Sequence, residues 1–422
     1  MGTATLEKII PYRVGQWLPS DETVLNNWLT DLIDEVEKSE TTLLPVIQEF
    51  KDLIEDDPEV CMLFHLMFTE VPHRRKFDKN PAGGPQVRNY QLMLLLMNRI
   101  MTKAPAFNKT GLVGFPINAI LDWSMGTTAG FAAFMNEKVN RQLKKILQEW
   151  GIFLRSMDSA YVLNKDPKTG WFGKDAQQAM PHFDEEFKCD PLMPHHGFRS
   201  WDDFFTREFR DGRRPVAAPE DDNVIVNACE SAPYRVATHV KLRDKFWIKA
   251  QPYSLFHMMA GDELVEKFKG GTVYQAFLSA LSYHRWHSPV SGTIVKAYVI
   301  DGTYYAEAQS EGYDPSGPNE SQGYITELAT RALIFIQADN PAIGLMCFMP
   351  VGMAEVSSCE ITVYEGQHVR KGDQLGMFHF GGSTHCLFFG PQVKLTFDLH
   401  GQTPGLDSSN IKLKEKIATV TL

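Results

Sequence analysis

The chain has 422 residues, 43% hydrophobic and 22% charged, values that suit a globular protein whose large core is shared by two or three structural units. Its formal net charge is -10 and its pI about 5.7, which argues against nucleic acid or an anionic membrane as a partner and leaves room for a basic pocket. Six scattered cysteines include no CxxC pair, so reduced thiols in a cytoplasmic protein are expected rather than a zinc ribbon or a thioredoxin-type site.

The opening stretch MGTATLEKIIPYRVGQW lacks the continuous apolar run of a signal peptide. Leu6 stands where a myristoylation signal requires Ser or Thr. Helices follow. In residues 22–40 the apolar Val24, Trp28, Leu32 and Val36 recur at helical spacing between acids. Residues 86–102 and 131–153 read the same way, with Pro105 and Pro116 punctuating the region between them. The longest apolar runs, 92–97 and 344–353, are too short to span a bilayer, so no stable membrane insertion is expected. Residues 156–200 look loop-rich, with Pro167, Gly170, Pro181, Pro191 and Pro194.

After Asn223 the texture becomes β-prone: 224–226, 272–277, 292–299, 333–337 and 360–363 are short apolar runs separated by Gly, Asp and Asn. Residues 313–322 have the composition of a surface loop. In 365–380, Glu365-Gly366 and Lys371-Gly372-Asp373 flank short apolar segments, which predicts a hairpin leading into a buried strand. The expected fold class is α+β. A helical N-terminal domain occupies 1–155, a connecting segment 156–200, and a β-rich domain 201–422.

Two segments carry chemistry. In Phe378-His379-Phe380-Gly381-Gly382-Ser383-Thr384 a strand-like run stops at two glycines. Glycine permits backbone shapes closed to other residues and leaves the Gly382 carbonyl unshielded. A serine hydroxyl beside a strained carbonyl can attack the peptide bond that precedes it; a plain Gly-Gly-Ser turn is the alternative. The second segment is Tyr283-His284-Arg285-Trp286-His287-Ser288-Pro289. A serine needs a base, and histidine is the usual one near neutral pH. Two histidines three apart also suit a metal pair, or two satisfied core histidines. With no third ligand at an obvious spacing, no metal site is expected.

Taken together, these segments resemble the phosphatidylserine decarboxylase family. The family's cleavage site is matched by Gly381-Gly382-Ser383-Thr384, its Tyr-His-Arg-x-His by Tyr283 to His287, and its Phe-Phe-x-Arg and Arg-Pro by Phe204 to Arg207 and Arg214-Pro215. The segment Val369 to Gly376 precedes the cleavage site as it does in the family. The resemblance implies a proenzyme cut between Gly382 and Ser383 into fragments 1–382 and 383–422 that stay associated. It implies that Ser383 becomes a covalent pyruvoyl group, the electron sink for decarboxylation. It assigns His287 to self-cleavage and His284 to the decarboxylation step. Where the family has Pro-x-Asp-Gly, with an Asp that orients the histidine, this chain has Ala228-Cys229-Glu230-Ser231. Glu230 either replaces that Asp or is an ordinary surface carboxylate.

The helical extension, the Ala-Cys-Glu-Ser segment and the wording of residues 377–383 further resemble the soluble fungal branch of the family that acts on tryptophan. A free aromatic amino acid, tryptophan first, is therefore the expected small-molecule substrate. A phosphatidylserine substrate, an uncleaved binding protein and a metallohydrolase using His284 and His287 are the alternatives.

Overall fold

The computed structural model describes residues 22–38, 42–71, 87–107, 116–245, 253–279, 281–308, 321–355 and 358–421. The opening stretch and most of 313–322 therefore lie outside the described residues. Ser321 and Gln322, at the end of that expected surface loop, are buried; Gln322 opens the helix Gln322–Leu328, and the Ser321 hydroxyl accepts the Ala308 N–H at 3.0 Å.

The first half is built from the helices Glu22–Glu37, Pro45–Asp56, Pro58–Thr69, Tyr90–Ile100, Pro116–Met125, Thr128–Met135 and Glu137–Arg155. Their starts are written in the sequence. Asp57 accepts from the N–H groups of Glu59 and Val60, and Asn89 from that of Leu92. The single helix expected over 131–153 is two helices. Asn136 adopts an extended backbone, ends the first and caps the second by accepting from Lys138 and Val139. The 156–200 stretch is more ordered than its composition suggests. It holds the short helices Met157–Val162, Lys174–Ala179, Phe183–Glu186 and Pro194–Gly197, packed around stacked rings such as Phe172 on His196, 3.6 Å apart.

Thirteen strands follow among the described residues: β1 Val224–Val226, β2 Ala232–Thr238, β3 Thr272–Leu278, β4 Arg285–His287, β5 Gly292–Ile300, β6 Arg331–Ala338, β7 Leu345–Met353, β8 Ser358–Ile361, β9 His368–Val369, β10 Gln374–His379, β11 Gly382–Phe389, β12 Leu395–Phe397 and β13 Lys416–Val420. They form a seven-stranded antiparallel sheet, β2-β3-β11-β7-β6-β5-β9, and two three-stranded sheets, β1-β13-β12 and β4-β10-β8. The α+β class holds. The hairpin expected over 365–380 does not form. Strand β9 pairs with β5 while β10 pairs with β4 and β8, so the turn between them carries the chain from one sheet to another.

The large sheet is buried on both faces. On one face Cys386, Phe388, Met349 and Val351 share a core with Phe64, Trp150 and Trp201 of the helical region. On the other, Tyr274, Phe348, Leu387 and Phe389 pack with Trp286 and Phe378 of the β4-β10-β8 sheet. Because side chains alternate along a strand, Ser383 and His385 share the second face with Leu387 and Phe389. No helix among the described residues is long and apolar enough to cross a membrane.

Candidate active site

Ser383 lies one residue into β11, between β3 and β7, opposite Leu278 on one side and Gly352 on the other. With glycine opposite, β7 contributes no side chain to crowd the hydroxyl. The chain reaches this strand through Gly381, whose φ of 132° is open to glycine and costly for other residues. Ser383 is 1% exposed, and its Oγ has no hydrogen-bond partner among the described residues. A buried hydroxyl left without a partner costs stability.

His284 is linked to the segment before Ser383 through ring contacts. Its ring stacks on Phe205 at 3.9 Å, and Phe205 meets Phe380, three residues before Ser383. The backbone of Ser279 also lies beside it, next to Leu278, the residue opposite Ser383. His284 is wholly buried and neither ring nitrogen has a hydrogen-bond partner among the described residues. Burial, with the Arg207 cation adding to it, pushes its pKa well below the ordinary value, so the ring is neutral. Arg207, from the Phe-Phe-x-Arg segment, holds this loop in place. Its guanidinium donates to the carbonyls of Leu281 at 2.7 Å and Ser282 at 3.2 Å, and lies 4.5 Å from the centre of the Phe187 ring.

His287 is engaged at both nitrogens. Nδ1 lies 2.8 Å from the Gly372 carbonyl and Nε2 lies 3.0 Å from the Tyr283 hydroxyl. A carbonyl only accepts, so Nδ1 carries the proton and Nε2 receives the tyrosine hydrogen. Burial pushes this ring down to about 3, with the nearby Lys414 adding to it. The Lys371-Gly372-Asp373 turn is built to present that carbonyl. The Ser288 N–H donates to Asp373 O, the Gly372 N–H donates to Ser288 O, and a side chain at Gly372 would meet Val216 at 2.6 Å. Lys371 anchors the turn by donating to the carbonyls of Ala218 and Asp221, each at 2.7 Å.

Glu230 is not hydrogen-bonded to His287. Arg214 grips its carboxylate from Nη2 at 2.8 Å and Nε at 3.1 Å, and the Leu413 N–H donates to it at 2.7 Å. It is equally far from the surface carboxylate of the alternative reading, since both side chains of the pair are largely buried. The position expected to orient the histidine is instead filled by the Gly372 carbonyl.

Two further groups escaped the sequence reading. His385, two residues after Ser383 on the same face, is fully buried; its Nε2 lies 3.0 Å from the Ser231 hydroxyl, and burial holds it down to about 3. Strand alternation from Ser383 is the signal that would have found it. His379 bridges Asp202 at 3.0 Å and Glu360 at 2.8 Å, tying β10 to the helix Trp201–Phe205. No local spacing announces a contact across 177 residues. Metal-ligating groups come together elsewhere, at Asp184, Cys189 and His196. The His196 Nδ1 is 3.2 Å from Asp184 Oδ1, but the Arg210 guanidinium binds the backbone there, donating to Asp184 O at 3.0 Å and Cys189 O at 2.7 Å. This trio shares no residue with the histidine pair.

Comparison with known proteins matches both halves of the chain. Residues 44–180 and 201–417 fit two family models, each described as phosphatidylserine decarboxylase. An L-tryptophan decarboxylase from Psilocybe cyanescens is 39% identical over 96% of this chain and 94% of its own length. The decarboxylase iboD from Amanita muscaria is 45% identical over 67% of this chain and 86% of its own. A phosphatidylserine decarboxylase proenzyme from Schizosaccharomyces pombe is 30% identical over 48% of this chain and 20% of its own.

Proposed function

The chain belongs to the phosphatidylserine decarboxylase family and is a decarboxylase, and from that premise we propose that it matures by cutting itself between Gly382 and Ser383 and then decarboxylates a free aromatic L-amino acid, tryptophan before others. The carrying observation for self-cleavage is the buried, unpartnered Ser383 hydroxyl one residue after a glycine pair. In the proposed sequence Ser383 Oγ loses its proton to a base and attacks the Gly382 carbonyl. The amide C–N bond breaks, the nitrogen takes the proton, and an ester joins the two residues. Removal of the Ser383 α-proton then expels the Gly382 carboxylate and leaves a dehydroalanine. Addition of water and loss of ammonia convert it to the pyruvoyl group.

His287 is the proposed base for that step. The Gly372 carbonyl fixes its tautomer, and the Nε2 lone pair becomes available when the Tyr283 hydroxyl rotates away. His284, buried and neutral, is the proposed group that moves a proton at the substrate's α-carbon. The family generally depends on a pyruvoyl group, which supplies an electrophilic carbonyl that draws electrons away as carbon dioxide leaves. Its setting here suits such a group: Ser383 is buried, and Gly352 opposite it leaves room. After cleavage the fragments would remain together. Residues 383–422 supply β11 at the middle of the large sheet and β13 beside β1, and Leu413 binds Glu230.

The substrate reading is supported by the near full-length match to a tryptophan decarboxylase, against a match to the lipid-named proenzyme over half the chain. The net charge of -10 also disfavours anionic lipid surfaces. The test is direct. Purified protein should show fragments 1–382 and 383–422 on a denaturing gel, and Ser383→Ala should stay one chain without activity. Given tryptophan, tyrosine, phenylalanine and detergent-dispersed phosphatidylserine, the wild type should release tryptamine fastest. Faster formation of ethanolamine lipid would restore the lipid reading.

A further inference from the structure

Strand β7 runs past the cleavage site. Its last residue, Met353, lies opposite Gly382. The chain then turns at Ala354, with φ of 52°, and delivers Glu355 to the helical region. There the Glu355 Oε1 accepts the N–H groups of Ile117 and Asn118, both at 2.9 Å, at the start of the helix Pro116–Met125. The contact joins residues more than 230 positions apart and brings that helix within two residues of the strand pair that flanks the scissile bond.

What surrounds this contact is unusual. Asn118 is 1% exposed, yet neither its amide oxygen nor its amide nitrogen has a partner among the described residues. The second oxygen of Glu355 and the hydroxyl of Tyr305, 2% and 1% exposed, lack partners as well. Tyr305 is close enough for the Glu355 charge to help raise its pKa. Native interiors leave few such groups unmet, and a cluster of them offers partners to an ordered water or a ligand. The core they belong to is apolar and extends to the cleavage segment. Phe380, just before Gly381, meets Trp150 edge-to-face at 4.7 Å, in one core with Ile117, Ile120 and Met353. Burial pushes the Glu355 carboxyl up to about 8, so near neutral pH this end of the site is polar and mostly uncharged. A neutral acceptor set in an apolar core suits a flat ring carrying one N–H, and suits a phosphate poorly.

We propose that Asn118, braced by Glu355, is the polar end of the pocket that receives the substrate's side chain, its amide oxygen accepting the N–H of an indole ring. The inference rests on the aromatic amino-acid reading above. Indole nitrogen donates and never accepts, so a buried amide oxygen is its complement. A site built to bond such a group discriminates against a look-alike that lacks it.

The test uses L-tryptophan, L-phenylalanine and the tryptophan analogue with sulfur in place of the ring N–H. For the self-processed wild type, kcat/KM for tryptophan should exceed that for the sulfur analogue by at least about tenfold. In Asn118→Leu that ratio should collapse to about twofold or less, while phenylalanine turnover changes less than about threefold. Equal handling of tryptophan and its sulfur analogue by the wild type overturns the proposal, and needs no variant to fold. An equal loss on all three substrates in the variant also overturns it, since that is the mark of a structural contact. Should the wild type act on none of the three while decarboxylating phosphatidylserine, the aromatic reading fails and takes this inference with it.

Discussion

The sheet region and the helical region meet the reacting residue in different ways. The sheet holds Ser383 by register, between Leu278 and Gly352 on an inner strand, while His284 sits in a loop that Arg207 clamps. The helical region reaches the same place through side chains, at Trp150 against Phe380 and at the helix capped by Glu355. Backbone pairing fixes the place of reacting atoms and tolerates little change. Side chains projecting from packed helices can be exchanged without disturbing that pairing. The lipid-named relative matches about half of this chain and the tryptophan-named one nearly all of it. On the proposed reading the sheet is the seat of the chemistry, and the helices bear on which substrate enters.

The largest test of that division lies within the sheet region. His287→Ala should leave uncleaved protein and so lose all activity. His284→Ala should still cleave, and its kcat should fall about 10²- to 10⁴-fold, the range for removing a positioned acid or base. Gel mobility reads the first step and amine release the second. Cleavage lost in His284→Ala and kept in His287→Ala would exchange the two roles.

Next in size is Trp150→Ala, which acts from the helical side. Trp150 is 1% exposed, donates from its ring to the Lys103 carbonyl at 2.9 Å, and packs on Phe380. Truncation should cost about 3–5 kcal/mol of stability, read as a lower Tm. The fragments should still appear, because the sheet register does not depend on this ring, while KM rises. Failure to cleave would show that the two regions are not separable.

Much of the candidate site was legible in the sequence, because it lies in contiguous words: Gly381-Gly382-Ser383, Tyr283 to His287, Lys371-Gly372-Asp373. The strands at 224–226, 272–278 and 292–300 were legible too, since short β-branched runs between turn residues signal themselves. What stayed hidden depends on contacts across long separations. Glu230 reads as a partner for His287 by its place in the chain, but Arg214 has no charge to face other than a carboxylate, and Glu230 with Glu186 supplies it. The supposed hairpin at 365–380 failed for a related reason: turn residues tell where a chain reverses, not which strand each arm will join. Asn118 carries no mark in the sequence at all.

A smaller effect is expected from pH. His287 and His385 are buried with pKa values near 3, and His284 is also held low. Unfolded, each would titrate near 6.5. The native state thus binds fewer protons than the unfolded one between about 6.5 and 3, so these groups favour folding above about 6.5 and lose that contribution as pH falls through the window. Tm should drop between pH 7 and 5, and less steeply in His385→Asn. A parallel drop in that variant would remove His385 as a source.

The smallest effect separates position from role. Glu230→Gln keeps the shape of the side chain and one carbonyl oxygen for the Leu413 N–H, but surrenders its share of the charge on Arg214. Arg214 retains Glu186 at 2.9 Å, so its charge is not stranded. If Glu230 serves to tie the 383–422 fragment to the rest, the variant should cleave at a rate within about threefold of wild type, with a Tm lower by a few degrees, as befits the loss of roughly 1–2 kcal/mol. If it orients His287, an amide in its place should slow cleavage by orders of magnitude, because it supports a developing imidazolium poorly. The geometry favours the first outcome. Both His287 nitrogens already have partners, and the Gly372 carbonyl does not change with this substitution. Following fragment 383–422 over time in freshly made protein distinguishes the two, and a stalled Glu230→Gln proenzyme would return the orienting role to the acid.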